Sequence, residues 1–223
     1  MSMFTSKKKD YILVNLNMKY SFDFFKNKVK ELQDDKRYKH TIGVANEAYS
    51  LGEIFLPDKK DKLMVAGILH DITKCFELDK QIELCTAYNI LYDKERVIPK
   101  LFHAKTGCEL SREIFGSDVV DDEIYNSILY HTTGRADMTL FEAIIYLADY
   151  IEAGRTFSDC IELRKFFYEN ILKTNNINEK LEVLRKTMLL SFDMTIKSLI
   201  NEQKAIDYDT INARNFFLRN TPK

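Results

Sequence analysis

The chain contains only four histidines: His40, His70, His103 and His131. His70 is followed at once by Asp71, and the pair comes directly after the apolar run Leu63-Met64-Val65-Ala66-Gly67-Ile68-Leu69. Burying a His-Asp pair without partners costs on the order of several kcal/mol. A divalent metal ion compensates, because neutral imidazole and carboxylate are ordinary ligands for first-row metals. Asp149 raises the same demand. It lies in Phe141-Glu142-Ala143-Ile144-Ile145-Tyr146-Leu147-Ala148-Asp149-Tyr150-Ile151, too far inside a largely apolar stretch to act as a cap. In order, His40, His70-Asp71, His103, His131 and Asp149 are spaced by 30, 33, 28 and 18 residues. Each histidine alone is more commonly a core or capping residue, and Asp149 alone has a ready partner in Arg155. Six such groups together point to one metal site.

Such residues converge when separate helices of a bundle aim them at one interior point. The sequence reads as helical from Ser21 onward. Ser21 caps a helix whose Phe22, Phe25, Val29 and Leu32 recur at three and four residues. A second helix is expected over 38–55, with Val44, Ala48, Leu51 and Phe55 on one face. Pro57-Asp58 ends it and starts a third over 61–74, apolar all round its middle and therefore buried. Lys74 would then stand one helical turn past His70, on the same side. Helical pieces over 78–90 and 94–101 precede a helix over 104–115 that stops at Gly116. The acidic cluster Asp118 to Glu123 suits the start of a helix running to His131. Thr132-Thr133-Gly134 makes a turn, and Thr139-Leu140-Phe141-Glu142 fits a capping box opening a helix that ends before Gly154. Helices over 159–172, 178–203 and 210–218 complete the pattern. Each histidine falls at or beside a helix end. The expected fold class is all-α, a single helical-bundle domain over 21–220 behind a peripheral N-terminal extension over 1–20.

Composition narrows the function classes. Hydrophobic residues make up 45% of 223, enough for a core and too many for a disordered chain. Lys and Arg number 33 against 34 Asp and Glu, so electrostatic capture of a nucleic-acid polymer is not expected. Seven Gly and three Pro are too few for an all-β sandwich or barrel. No apolar run reaches the ~18 residues of a membrane span, and no secretory signal is recognisable at the start. The four cysteines form no C-x-x-C pair. Free thiols and a cytoplasmic location are therefore expected.

The ordered H…HD…D set on helices resembles the signature of the HD-domain metal-dependent phosphohydrolases. Longer segments are similar to one group among them, the YqeK-type symmetrical bis(5'-nucleosyl)-tetraphosphatases. These are Arg37-Tyr38-Lys39-His40-Thr41-Ile42-Gly43-Val44-Ala45, Ala66-Gly67-Ile68-Leu69-His70-Asp71-Ile72-Thr73-Lys74 and Leu101-Phe102-His103-Ala104. The most specific are Tyr130-His131-Thr132-Thr133-Gly134-Arg135-Ala136-Asp137-Met138 and Ile145-Tyr146-Leu147-Ala148-Asp149-Tyr150-Ile151-Glu152-Ala153-Gly154-Arg155, and Ala213-Arg214-Asn215 matches too. The resemblance spans about residues 20 to 220. The chain departs from it at Ser158, and at Asp207-Tyr208-Asp209, where relatives commonly carry proline.

The resemblance implies an HD-domain fold and hydrolysis of diadenosine tetraphosphate to two ADP by metal-activated water attack on an inner phosphorus. It implies His40, His70, Asp71 and Asp149 as metal ligands, with His103 and His131 available to a second ion. Iron is the implied metal, as one or two ions; manganese, zinc and nickel suit the same donors. Asp71 and His131 are the implied catalytic residues, His131 as a donor to the bridging or leaving oxygen if it is not a ligand. Arg37, Lys74, His103, His131, Thr132, Asp149 and Arg155 would line the polyphosphate. Ala205, Ile206, Asp207, Tyr208, Asp209 and Thr210 would lie beside the nucleotide. The expected partner is a small nucleotide, with neither nucleic acid nor membrane, and a homodimer is compatible. The alternatives are an HD phosphohydrolase of another nucleotide, or a non-catalytic nucleotide-sensing protein that keeps the fold.

Overall fold

Side-chain caps open most of the helices. Ser21 accepts from the Phe24 amide, Asp34 from Arg37, Asp121 from Ile124 and Asn176 from Glu179. Each satisfies a donor that the first helical turn leaves without a partner. Thr139 and Glu142 form the complete capping box. The computed structural model describes residues 20–90 and 98–222. Among these there are ten α-helices and no strands. They are α1 (Phe22–Lys30), α2 (Asp35–Phe55), α3 (Lys60–Leu69), α4 (Leu78–Ala87) and α5 (Phe102–Phe115). α6 (Asp122–Leu129), α7 (Leu140–Ile151), α8 (Ser158–Ile171), α9 (Ile177–Asn201) and α10 (Tyr208–Phe217) follow, with 3₁₀ turns at Pro57–Lys59 and Pro99–Leu101.

The most apolar segment, α7, is central. Every residue from Phe141 to Ala148 is buried, as expected of a helix without a polar face. α2, α3, α6 and α8 pack around it. One hydrophobic core takes residues from Phe25 in α1 to Phe217 in α10. α2 and α3 form a hairpin whose backbones touch at Gly67: a Cβ there would lie 2.7 Å from Ala45 Cα. That close approach brings His40 of α2 next to His70 at the end of α3. No helix of the described residues is long and apolar enough to cross a membrane.

Several boundaries differ from expectation. The helix expected over 61–74 ends at Leu69, with His70 as its C-cap. The chain then runs through tight turns in which Ile72, Lys74 and Phe76 donate to carbonyls three residues back. Side-chain anchors explain the exit. Thr73 Oγ1 donates to the His103 carbonyl, Gln81 Nε2 to the Thr73 carbonyl, and Gln33 Nε2 to the Asp71 carbonyl. α2 begins at Asp35 instead of 38 because Asp34 caps it, and α5 begins at Phe102. Of the helical piece expected over 94–101, residues 94–97 lie outside the described residues and Pro99–Leu101 forms the 3₁₀ turn. The expected N-terminal extension over 1–20 lies outside the described residues up to position 19.

Candidate metal centre

Three imidazoles are fixed in one tautomer by their outer nitrogen. His70 Nδ1–H donates to the Gly67 carbonyl at 2.7 Å and His131 Nδ1–H to the Ile128 carbonyl at 2.6 Å. His40 Nδ1 lies 3.0 Å from Glu152 Oε1. A carbonyl or carboxylate accepts, so in each neutral ring Nε2 keeps its lone pair and turns inward. His70 Nε2, His40 Nε2 and Asp71 Oδ1 are buried and make no aligned hydrogen bond. For His40 this holds although Asp149 Oδ1 lies at 2.9 Å. Buried polar atoms without partners are costly. Lone pairs facing carboxylate oxygens fit a cation between them.

The donors fall into two groups, each with ligand atoms within 4.8 Å of one another: His40, His70 and Asp149, and His70, Asp71 and His131. Asp71 faces both sides. Its Oδ2 is 3.4 Å from His70 Nε2 and 3.8 Å from His40 Nε2. Its Oδ1 is 3.2 Å from His103 Nε2 and 3.5 Å from His131 Nε2. Donors about 2.0–2.2 Å from one ion stand at such separations. His103 Nε2 and His131 Nε2 approach to 3.1 Å, and Thr132 Oγ1 is 3.1 Å from the latter.

Charge follows the same division. Burial opposes a charged imidazole at His40, yet Asp149 and Glu152 outweigh it and hold the pKa above the ordinary value. Burial drives His103 down to about 4 against the pull of Asp71. Burial also lowers Lys74, whose Nζ is 3.2 Å from His103 Nε2. Asp71 and Asp149 would rise through burial alone. His70 and His103 hold Asp71, and Arg155 and His40 hold Asp149, well below the usual carboxylate range. Arg37 Nη1 is 2.8 Å from Asp71 Oδ2, and Arg155 Nη2 is 2.5 Å from Asp149 Oδ1.

The expected metal-ligand residues thus share one cluster, with Arg37, Lys74, Thr132 and Arg155 at its edge. Lys74 reaches it from a turn, not from the expected continuous helix. A cavity of about 850 Å³ opens beside the cluster. Its lining includes His131, Thr132, Asp149 and Arg155, then Lys100, Phe157 and one side of the end of α9 from Met194 to Asn201 with its C-cap Glu202. Ala205 to Thr210 do not line this cavity. Thr210 is buried in α10, and Asp209 feels the charges of Lys105 and Arg135.

Sequence reasoning missed Glu152. It caps the end of α7, where an acid is ordinarily solvated, yet it is only 3% exposed. A Cβ at Gly43 would lie 2.3 Å from its Oε2, and the Gly154 amide donates to that oxygen at 2.6 Å. Two glycines therefore make room for the carboxylate that orients His40.

The family model described as HD domain matches residues 37–154, a span that holds all six donors. The chain belongs to the HD-domain family. It is 31% identical over 192 residues to a Staphylococcus aureus protein named "Bis(5'-nucleosyl)-tetraphosphatase, symmetrical", covering 86% of this chain and 92% of the relative. It is 36% identical over 162 residues to the Bacillus subtilis protein of the same name, covering 72% and 82%. A crystal structure from Clostridium acetobutylicum, described as a predicted HD superfamily hydrolase involved in NAD metabolism, aligns with TM-score 0.76 and 36% identity. That alignment covers 89% of this chain and 97% of the other.

Proposed function

We propose that this HD-domain chain is a metal-dependent hydrolase that cleaves diadenosine tetraphosphate symmetrically into two ADP. The observation that carries the reading is the set of inward, unpartnered His40, His70 and Asp71 atoms beside a cleft that offers Arg155 and Thr132 to a polyanion. His40, His70, Asp71 and Asp149 would hold the first ion, with His103 and His131 available to a second. Iron is our preferred metal. A bound divalent ion would supply an activated water near neutral pH and polarise a phosphoryl oxygen.

The chain's own residues do the rest. Arg37 and Arg155 already engage Asp71 and Asp149, so both guanidiniums stand where phosphate charge must be neutralised. Arg155 offers a planar fork to phosphate oxygens and Lys74 a point charge. Thr132 Oγ1 donates to a non-bridging oxygen. His131, with Nδ1–H committed to a carbonyl, presents a lone pair. That suits a ligand or a proton acceptor, and it donates to the leaving oxygen only after taking up a proton. The described cysteines are free, in keeping with a cytoplasmic enzyme.

The test is metal analysis of the purified protein together with product identification. Two ADP per dinucleotide support the proposal; ATP plus AMP, or no turnover with iron or manganese, overturns it.

A further inference from the structure

We propose that Phe157 is the stacking platform for one nucleobase of the substrate, in the cleft that opens beside the metal cluster. This rests on the reading of the site as a dinucleotide site. Phe157 is 65% exposed, yet it lies on the lining of the same cavity as His131, Asp149 and Arg155. A lone exposed aromatic is unremarkable on a convex surface; lining a concave cleft of mixed polarity next to charged groups, it presents an unused apolar face. Its position is fixed. It is the N-cap residue of α8. Tyr150 Oη donates to Asp159 at 2.9 Å, pinning the first turn of α8 to α7. Arg164 donates to the Arg155 carbonyl at 2.8 Å, pinning the preceding loop.

The order of groups matches the order of a nucleotide. Arg155 holds Asp149, and Phe157 follows two residues later, at most about 7 Å along the chain. A phosphate at Arg155 directs the ribose along the loop and the base onto the Phe157 ring. Thr195 and Ser198 of α9 line the cavity as well; the Ser198 hydroxyl donates to Glu202 Oε1 at 2.7 Å, which leaves its lone pairs to accept from a sugar hydroxyl. A substrate with two nucleosides needs two arms leaving the scissile bond. The Phe157 arm is distinct from Ala205 to Thr210, which lie outside this cavity.

The chain contains no tryptophan, so Phe157→Trp places a single indole at the platform, excited selectively over the tyrosines. With the metal-loaded protein, ADP and diadenosine tetraphosphate should quench it saturably, and inorganic tetraphosphate, which has no base, should not. Phe157→Ala should raise KM for the dinucleotide roughly tenfold, within what one lost base stack costs. Its kcat and the inhibition constant of tetraphosphate should hold, and Phe157→Trp should restore KM. Saturable quenching without turnover supports the stacking site while removing the hydrolase reading. Turnover to two ADP without quenching, an unchanged KM in Phe157→Ala, or equal losses for nucleotide and tetraphosphate overturn the inference.

Discussion

The two halves of the cluster meet at Asp71 but are built differently. The half formed by His40, His70 and Asp149 has two further carboxylates at hand, Asp71 Oδ2 and Glu152, and its His40 is biased toward positive charge. The half formed by His103 and His131, to which His70 also belongs, has only the Asp71 carboxylate. It also has the Lys74 ammonium against His103, and its His103 stays neutral down to about pH 4. The first half is the better suited to hold a cation. The second has too little negative charge to bind a cation as strongly, and Lys74 suits it to receive an anion. Two ions of unequal affinity, or one ion and one phosphate, follow from that asymmetry.

The largest effect should come where the halves join. Asp71→Ala removes a donor from both, and His70→Ala leaves the first half with one imidazole. Either variant should lose bound metal and slow hydrolysis about a thousandfold or more. Full activity in a metal-free preparation of either would break the comparison at its root. Lys74→Ala should act on one half alone. Metal content should hold while kcat/KM for the dinucleotide falls on the order of tenfold to a hundredfold. Loss of metal in this variant would make Lys74 a structural support instead. Glu152→Gln should do the reverse: a metal affinity lowered about 10–100-fold, as for other second-layer partners of ligating histidines, with activity recovered at high metal concentration.

Titration separates the halves again. The folded pKa of His40 lies above its ordinary 6.5 because of Asp149 and Glu152. A metal must displace that proton, so affinity for the first ion should fall as pH drops through and below this range. His103 is depressed to about 4, so protons do not compete for it until far lower pH. Metal release followed against pH should therefore show the tighter site carrying the steeper pH dependence as pH falls through the raised His40 range. A tighter site indifferent to pH in that window would contradict the assignment.

The sequence makes the donors legible because chemistry and burial conflict there. His70-Asp71 follows seven apolar residues, and Asp149 sits in the most apolar helix among the described residues. No local signal resolves those conflicts except a shared partner. The capping box at Thr139 and Glu142 is equally readable, since it depends on neighbours in sequence alone. What escaped notice depends on neighbours in space. The end of α3 at Leu69 is set by Gln33, Gln81 and the His103 carbonyl, none adjacent in sequence. Glu152 looks like a solvated C-terminal acid until Gly43, more than a hundred residues earlier, is packed against it. The paired glycines are a signal, but only once the helices they belong to are known to touch.

The smallest expected effects concern two glycines, one behind each half. Gly67 lies in α3, three residues before His70, and a Cβ there would meet Ala45 Cα at 2.7 Å. Backbone cannot retreat without moving α2, so Gly67→Ala should push α2, and with it His40, away from His70. Overpacking of this kind costs about 1–3 kcal/mol, read as a lowered Tm, and it should weaken metal binding in the first half as well. Gly107 lies in α5 behind His103. A Cβ there meets Ile72 Cγ2 and Thr73 Oγ1 at 3.5 Å, an ordinary contact. Gly107→Ala should therefore be neutral or stabilising by up to about 1 kcal/mol, the helix preference of alanine, with metal content unchanged. Equal destabilisation by both would show that the approach of α2 and α3 does not set the geometry of the tighter half. Separate outcomes would show that the first half depends on a backbone contact its partner half does not need.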